Sequence, residues 1–313
     1  MEKLGSGTSG AKIILVGEHA VVYGVPAIAV PFNGCLTTVE VFKTNEDLTI
    51  ESRFHNGYLK DGSNTIFGMQ QLVYYILDLL EMPKHGLHFK VTSTVEPQRG
   101  LGSSAALSVA TTRALFNAFN KELSDDELIE HSMYAEKIHH TNPSGLDVLT
   151  IVKQKPVWFV RNEGFKVVDI NFDGYLLIID TKMMSQTKLA VEAVLSLKQK
   201  NPTLINKAFE EIKEVVVNSK KYLENNNIKE LANAMKKNQA ALETIGVSNA
   251  TLEKTIADAY EFGILGAKLT GGGMGGCVIG ITEDLKTANN IINNFSLLNI
   301  NVWLYRLGDL NES

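Results

Sequence analysis

Between Leu87 and Val95 apolar and polar positions alternate. Leu87, Phe89, Val91, Ser93 and Val95 fall on one side, His88, Lys90, Thr92 and Thr94 on the other. A period of two predicts a strand half-buried on a core. Just upstream the period lengthens: across Thr65 to Glu81, Ile66, Met69, Leu72, Val73, Ile76, Leu79 and Leu80 recur at helical spacing, and Pro83 supplies the stop. This predicts a core-facing helix. Earlier still, Lys12 to Val16 and Val25 to Phe32 are short apolar segments flanked by Gly and Pro, followed by Leu36 to Phe42 and Leu48 to Ile50. The opening therefore reads as strand-rich.

Downstream, small residues and Leu115 recur from Ser103 to Phe119 in a helix-forming run. Ser124 and Glu127 then have the spacing of a capping box and start a helix that runs to about His139. A loop at Asn142 to Gly145 interrupts the pattern, and Val157 to Val160 and Tyr175 to Asp180 read as strands. From Thr187 to Phe262 the composition is strongly helical. The change predicts a domain junction near residue 170, dividing the chain into 1–170 and 171–313. The last readable portion is strand, loop, strand: Gly266 to Leu269, then Thr270-Gly271-Gly272-Gly273-Met274-Gly275-Gly276, then Cys277 to Ile281. Ordering so many glycines is entropically costly, which predicts that something approaches this backbone closely.

Composition narrows the class. With 313 residues, 44% hydrophobic and 21% charged, the chain has the makeup of a globular protein long enough for two domains. A net charge of -5 gives no basic footprint for a nucleic-acid groove. No apolar run reaches the ~18 residues of a membrane span. Ile13 to Val16 is too short for a secretion signal, and the two cysteines, Cys35 and Cys277, have no metal-ligand spacing. A reducing cytoplasm is the expected location.

The strongest chemical signal is the strand that leads into Pro97-Gln98-Arg99-Gly100-Leu101-Gly102-Ser103-Ser104-Ala105-Ala106 and then a helix. Glycine lets the backbone approach an anion, and a helix start offers it unpaired N–H groups, so phosphate is the natural guest. A Walker A loop would need Lys and Ser or Thr after its last glycine, whereas Ser103 follows Gly102. A dinucleotide fold would need a second strand after the helix, whereas Ser124 to Glu136 looks helical. A loop that merely joins strand to helix is the remaining plain alternative.

Four segments taken together go further. Lys12-Ile13-Ile14-Leu15-Val16-Gly17-Glu18-His19-Ala20-Val21-Val22-Tyr23-Gly24, Pro97 to Ala106, Asn142-Pro143-Ser144-Gly145-Leu146-Asp147 and Lys268 to Gly276 resemble, in order and spacing, the GHMP kinase superfamily. The first and third resemble its mevalonate kinases in particular. The resemblance spans nearly the whole chain. It implies an α+β, two-domain GHMP kinase fold. The N-terminal, ATP-binding domain would resemble the second domain of ribosomal protein S5. The C-terminal domain would be α/β-plait-like with extra helices, and the active site would lie in the cleft between the two.

The resemblance also implies roles. ATP as co-substrate would be bound by Pro97, Arg99, Gly100, Leu101, Gly102, Ser103, Ser104 and Ala105. Asp147 would act as the catalytic aspartate that accepts or orients the alcohol proton, with Lys12 as the neighbouring cation. Ser104 and Glu136 would hold Mg²⁺, a hard cation that retains waters and leans on phosphates. Glu18, His19, Asp147 and Thr187 would face mevalonate, and the glycine loop with Gly271, Gly272 and Gly273 would close over the phosphates or the substrate. Thr141 and Met274 depart from what relatives often carry and touch affinity rather than the reaction. A homodimer fits the resemblance, as do no nucleic-acid and no membrane partner. A sibling kinase acting on phosphomevalonate or homoserine, and a non-catalytic nucleotide-binding regulator, are the alternatives.

Overall fold

The structure, a computed structural model, describes residues 1–62, 65–139 and 143–311. Thr141 and Asn142, singled out above, lie outside the described residues. The chain divides into two compact units, each discontinuous in sequence. The first comprises Met1–Lys12, Phe32–Glu96 and Gly102–Lys153, the second Ile13–Pro31, Pro97–Leu101 and Gln154–Ser313.

In the first unit, strands β1 (Lys3–Val16, in its first part), β2 (Ala27–Asp47, from Phe32 on), β3 (Thr49–Glu51), β4 (Asn56–Tyr58) and β5 (His85–Ser93) form a sheet. The order is β4-β3-β5-β2, with β1 also paired to β2. β5 runs antiparallel to β2, with Val39 opposite Val91 and Val41 opposite Phe89. The alternating pattern of β5 thus meets an alternating partner, and Val39, Val41, Ile50 and Phe89 fall on the core side. Against them pack α1 (Phe67–Leu79), through Leu72, Val73 and Ile76, and α2 (Ser103–Ala118), through Ala110, Ala114 and Leu115. The helical period of the first segment and the alternation of the second therefore describe the two faces of one core.

α3 (Asp125–His139) and α4 (Leu146–Lys153) complete this unit. The capping box forms as its spacing predicts: Glu127 N–H donates to Ser124 Oγ, and the Glu127 carboxylate accepts from Ser124 N–H at 2.9 Å. Ala105, Ala106 and Val109 of α2 meet Leu128 of α3 and Val148 and Ile151 of α4 in a small second core. That core fixes the starts of α2 and α4 relative to each other.

In the second unit, β6 (Val157–Val160) pairs with Ala27–Ala29 and with β7 (Gly164–Val167). A separate antiparallel sheet has the order β11-β8-β10-β9, formed by β8 (Tyr175–Asp180), β9 (Gly266–Leu269), β10 (Cys277–Thr282) and β11 (Val302–Arg306). β8 and β10 are register partners from Tyr175 opposite Thr282 to Asp180 opposite Cys277. The helical stretch resolves into α5 (Thr187–Lys200), α6 (Pro202–Glu224), α7 (Ile228–Thr244) and α8 (Ala250–Glu261), and α9 (Leu285–Leu297) follows β10. Asn201, Asn227 and Asn249 cap α6, α7 and α8, each accepting from a backbone N–H three residues on. Among the described residues no helix is long and apolar enough to cross a membrane.

Candidate active site

The first unit gathers four of the chemistry-bearing residues around the starts of two helices. Gly102 caps α2 in the left-handed conformation (φ 76°), and no side chain bonds the cap. Ala106 N–H donates to Gly102 O, closing the first helical turn. The amides of Ser103, Ser104 and Ala105 precede that bond and point out of the helix end, as the first N–H groups of a helix do. No acidic side chain sits in this first turn. The positive end of a sixteen-residue helix is therefore presented without a built-in counter-charge. Ala105 is buried in the small core, so its contribution to an anion is its backbone N–H rather than its side chain.

Asp147 stands in the first turn of α4, preceded by Gly145 (φ 85°) and by Ser144, whose Oγ accepts from Leu146 N–H. Its Oδ2 lies 3.3 Å from Lys12 Nζ, with the lysine side chain buried and the aspartate 34% exposed. The carboxylate is thus tied to a cation on one side and accessible on another. A Cβ on Gly102 would lie 3.0 Å from Lys12 Cγ and 3.5 Å from Asp147 Oδ2, so the glycine, the lysine and the aspartate are in van der Waals range. Ser104 Oγ donates to Glu136 Oε1 at 2.5 Å, and Glu136 is buried on α3. Two hard oxygen donors therefore meet one residue from the end of the phosphate-ready helix.

The second unit holds the other group. Pro97–Leu101 lies against the glycine loop 270–276. A Cβ on Gly100 (φ 79°) would stand 2.5 Å from Thr270 O, and one on Gly271 (φ 78°) 2.5 Å from Gly100 Cα. The expected close approach is thus backbone on backbone, which only glycine allows at these left-handed positions. His19, itself left-handed (φ 59°), places Nε2 3.1 Å from Gly272 O. Burial pushes the imidazole down to about 4, with the Lys268 charge adding to the fall and the Gly272 carbonyl opposing it. The ring is neutral at pH 7. Its Nε2–H then donates to the carbonyl, and Nδ1 is left as the acceptor. Thr187, first in α5, sits so close that a Cβ on Gly272 would meet its Oγ1 at 2.1 Å. His19, Thr187 and Gly272 form one cluster.

Two residues of this unit went unnoticed as partners in the sequence. Glu18 is fully buried and forms an ion pair with Lys268, which also donates to Leu269 O. Arg99 Nε lies 2.8 Å from Asp180 Oδ1, with Asp180 buried and Arg99 largely so. The signal for Lys268 was a lysine between Ala267 and Leu269 in a strand whose every residue is buried, since a charge in such a run needs a partner. For Asp180 it was a carboxylate closing the apolar run Leu176–Ile179. Met274 takes a left-handed backbone (φ 51°) and donates its N–H to Val247 O, so it shapes the loop.

Comparison with known proteins identifies the family. The GHMP kinases N terminal domain matches residues 69–155 and the GHMP kinases C terminal domain residues 219–299. The mevalonate kinase of Saccharolobus solfataricus is 30% identical over 279 residues, 86% of this chain and 87% of the relative. The chain belongs to the GHMP kinase family, among its mevalonate kinases. The mevalonate kinase from methicillin-resistant Staphylococcus aureus is 31% identical, with TM-score 0.73 over 98% of this chain and all of that one. The L. major mevalonate kinase, solved in complex with R-mevalonate, shares the fold (TM-score 0.82, covering 97% and 96%) at 24% identity. The α+β GHMP kinase fold expected from the sequence is the fold observed.

Proposed function

We propose that this GHMP kinase transfers the γ-phosphoryl group of ATP to the primary hydroxyl of (R)-mevalonate, giving (R)-5-phosphomevalonate and ADP. The observation that carries the reading is the Lys12–Asp147 pair seated against Gly102 at the open start of α2. A helix end that favours anions and a carboxylate fit to take a proton stand side by side there.

In the transfer, the alcohol oxygen forms a bond to Pγ while the bond from Pγ to the β,γ-bridging oxygen breaks, and its electrons leave with ADP. The alcohol proton passes to the accessible carboxylate of Asp147. Lys12 holds that carboxylate in place and stabilises negative charge near the attacking oxygen. The amides of Ser103, Ser104 and Ala105 bind phosphate oxygens, and Pro97, Arg99, Gly100 and Leu101 form the approach to them. Ser104 Oγ and Glu136, adjacent hard oxygens, fit Mg²⁺, whose charge, when bound, would offset that of the β and γ phosphates.

His19 Nδ1 is assigned to accept from a mevalonate hydroxyl and Thr187 Oγ1 to a mevalonate hydroxyl or carboxylate oxygen, with Gly271, Gly272 and Gly273 setting their backdrop. Glu18 bears on this group through its ion pair with Lys268, whose charge reaches His19. The N- and C-terminal family domains are placed at 1–170 and 171–313, supported by family matches that fall on either side of residue 170. The buried cysteines Cys35 and Cys277, which form no disulfide, suit a reducing cytoplasm. The test is ADP release from purified protein with ATP and Mg²⁺, across mevalonate, phosphomevalonate, homoserine and galactose. Release with mevalonate alone is expected. Faster release with any of the others would overturn the substrate assignment.

A further inference from the structure

Arg99 is held in the second unit far more firmly than a residue that simply reaches for a phosphate needs to be. Its carbonyl accepts from Cys277 N–H at 3.1 Å, and the carbonyl of its neighbour Gln98 accepts from Ser185 N–H at 2.6 Å. Its guanidinium Nε is 2.8 Å from Asp180 Oδ1, with the side chains 11% and 5% exposed. Arg99 Nε and Nη1 are both buried with no hydrogen-bond partner among the described residues, so the contact with Asp180 is one of charge, and Asp180 is the carboxylate that compensates this guanidinium.

Asp180 is itself anchored. It ends β8 opposite Cys277, its N–H donates to Asn301 O, and its Oδ1 accepts from Lys182 N–H at 2.8 Å. The turn beyond it is stitched to the glycine loop: Gly276 N–H donates to Met183 O, Gln186 N–H and Ser185 Oγ donate to Gly273 O, and Thr181 Oγ1 donates to Gly276 O. Three segments, 97–101, 180–187 and 270–277, thus share one junction. The Arg99–Asp180 ion pair is its buried side-chain contact between charges. The first of these segments carries backbone strain, because Gln98, which has a Cβ, is held at φ 57°. Strained loops persist only where their surroundings fix them.

We infer that Asp180 is a positioning residue for ATP: through its ion pair with Arg99 it sets the conformation of residues 97–101, and hence the loop that leads into the phosphate-binding start of α2. The inference rests on the assignment of residues 97–105 to ATP. The guanidinium serves that loop as an anchor.

Kinetics of Asp180→Asn test it, with Asp180→Glu as the conservative rescue and Gly102→Val as a control for the loop. Asp180→Asn is expected to raise the KM for ATP about 10-fold while kcat and the KM for mevalonate stay within about twofold, and Asp180→Glu to recover part of the loss. If Asp180→Asn does not fold, Asp180→Glu, which keeps the charge but carries it on a longer side chain, is read alone, with a rise of about 3-fold in the KM for ATP expected. An unchanged KM for ATP, or a parallel fall in kcat and rise in both KM values, overturns the positioning role. Gly102→Val puts a branched side chain against Lys12 at a left-handed position and abolishes ATP binding if the loop holds nucleotide. Retained ATP binding in Gly102→Val sinks the loop assignment itself. Lost binding there with a silent Asp180→Asn sinks only the positioning.

Discussion

Lys12 and Asp147 meet in the first unit with the aspartate about one-third exposed, whereas Glu18 and Lys268 meet in the second with neither side chain exposed at all. Arg99 and Asp180, also in the second unit, are nearly as buried. An accessible carboxylate can exchange a proton and meet a substrate, and it contributes little to stability. A fully buried pair cannot be reached. Its value lies in the geometry it enforces, because losing one partner strands the other charge in a poor solvent. The Lys12–Asp147 pair thus keeps a carboxylate where chemistry can use it, and the Glu18–Lys268 and Arg99–Asp180 pairs hide their charges to hold loops whose backbones do the contacting.

The largest effect expected from breaking this contrast falls on the first pair. Asp147→Asn keeps the side chain's size and removes its capacity to take a proton. Turnover should fall by about 10³- to 10⁴-fold while ATP still binds, as read by ADP release and by equilibrium nucleotide titration. Retained turnover would mean that the carboxylate serves only as a neighbour of Lys12.

Next comes the buried pair. Lys268→Met removes the buried ion-pair partner of Glu18, and should lower the unfolding free energy by about 3–5 kcal/mol in urea titration. The double variant Glu18→Gln with Lys268→Met should recover most of that loss. Lys12→Met is the matching probe in the first unit, where Asp147 has solvent to fall back on, and should cost only about 1 kcal/mol while abolishing most turnover. Equal stability losses in Lys12→Met and Lys268→Met would erase the distinction.

Much of this contrast was legible in the sequence, but unevenly. Lys12, Ser104, Glu136 and Asp147 could be named because each sits in or near a motif whose spacing carries chemistry. The core of the first unit was readable because α1 and β5 have opposite periods. Residues Lys3 to Ser9 form strand all the same, but Gly, Ser and Thr give them no alternation to read. β11 and α9, beyond the glycine loop, carried no motif and went unread. Lys268 and Asp180 escaped for a different reason: an ion pair between residues 250 positions apart, as Glu18 and Lys268 are, is a property of the folded chain, and local sequence shows only one charge at a time. The left-handed His19 and Met274 are likewise imposed by the loops around them.

Loop geometry gives the third probe. Gly271→Ala puts a Cβ 2.5 Å from Gly100 Cα at a φ of 78°, so strain and backbone clash add, and a loss of about 3 kcal/mol is expected by thermal unfolding. Gly24→Ala is the control, left-handed as well (φ 85°) but with nothing within 4 Å of the added atom. It should cost about 1 kcal/mol, the conformational part alone. Similar losses at the two sites would show that the approach of the two loops is looser than the backbone distances imply.

The smallest effect is a pH dependence confined to the second unit's cluster. His19 titrates at about 4 in the folded chain against 6.5 when unfolded, chiefly because burial disfavours its charged form. Between those values the unfolded state binds the extra proton, so stability rises with pH through that window and is level above it. As the pH falls from 6.5 toward 4, His19 should therefore remove on the order of 2 kcal/mol of stability, a figure reduced for the partial exposure of the residue. His19→Gln, which keeps a donor for Gly272 O but cannot take a proton, should flatten the urea midpoint between pH 6.5 and 4 by that amount. Acidic side chains titrate in the same range, so the difference between the two proteins is the quantity to read. A His19→Gln curve parallel to that of the unaltered chain would mean that burial does not hold the His19 imidazole neutral through that window.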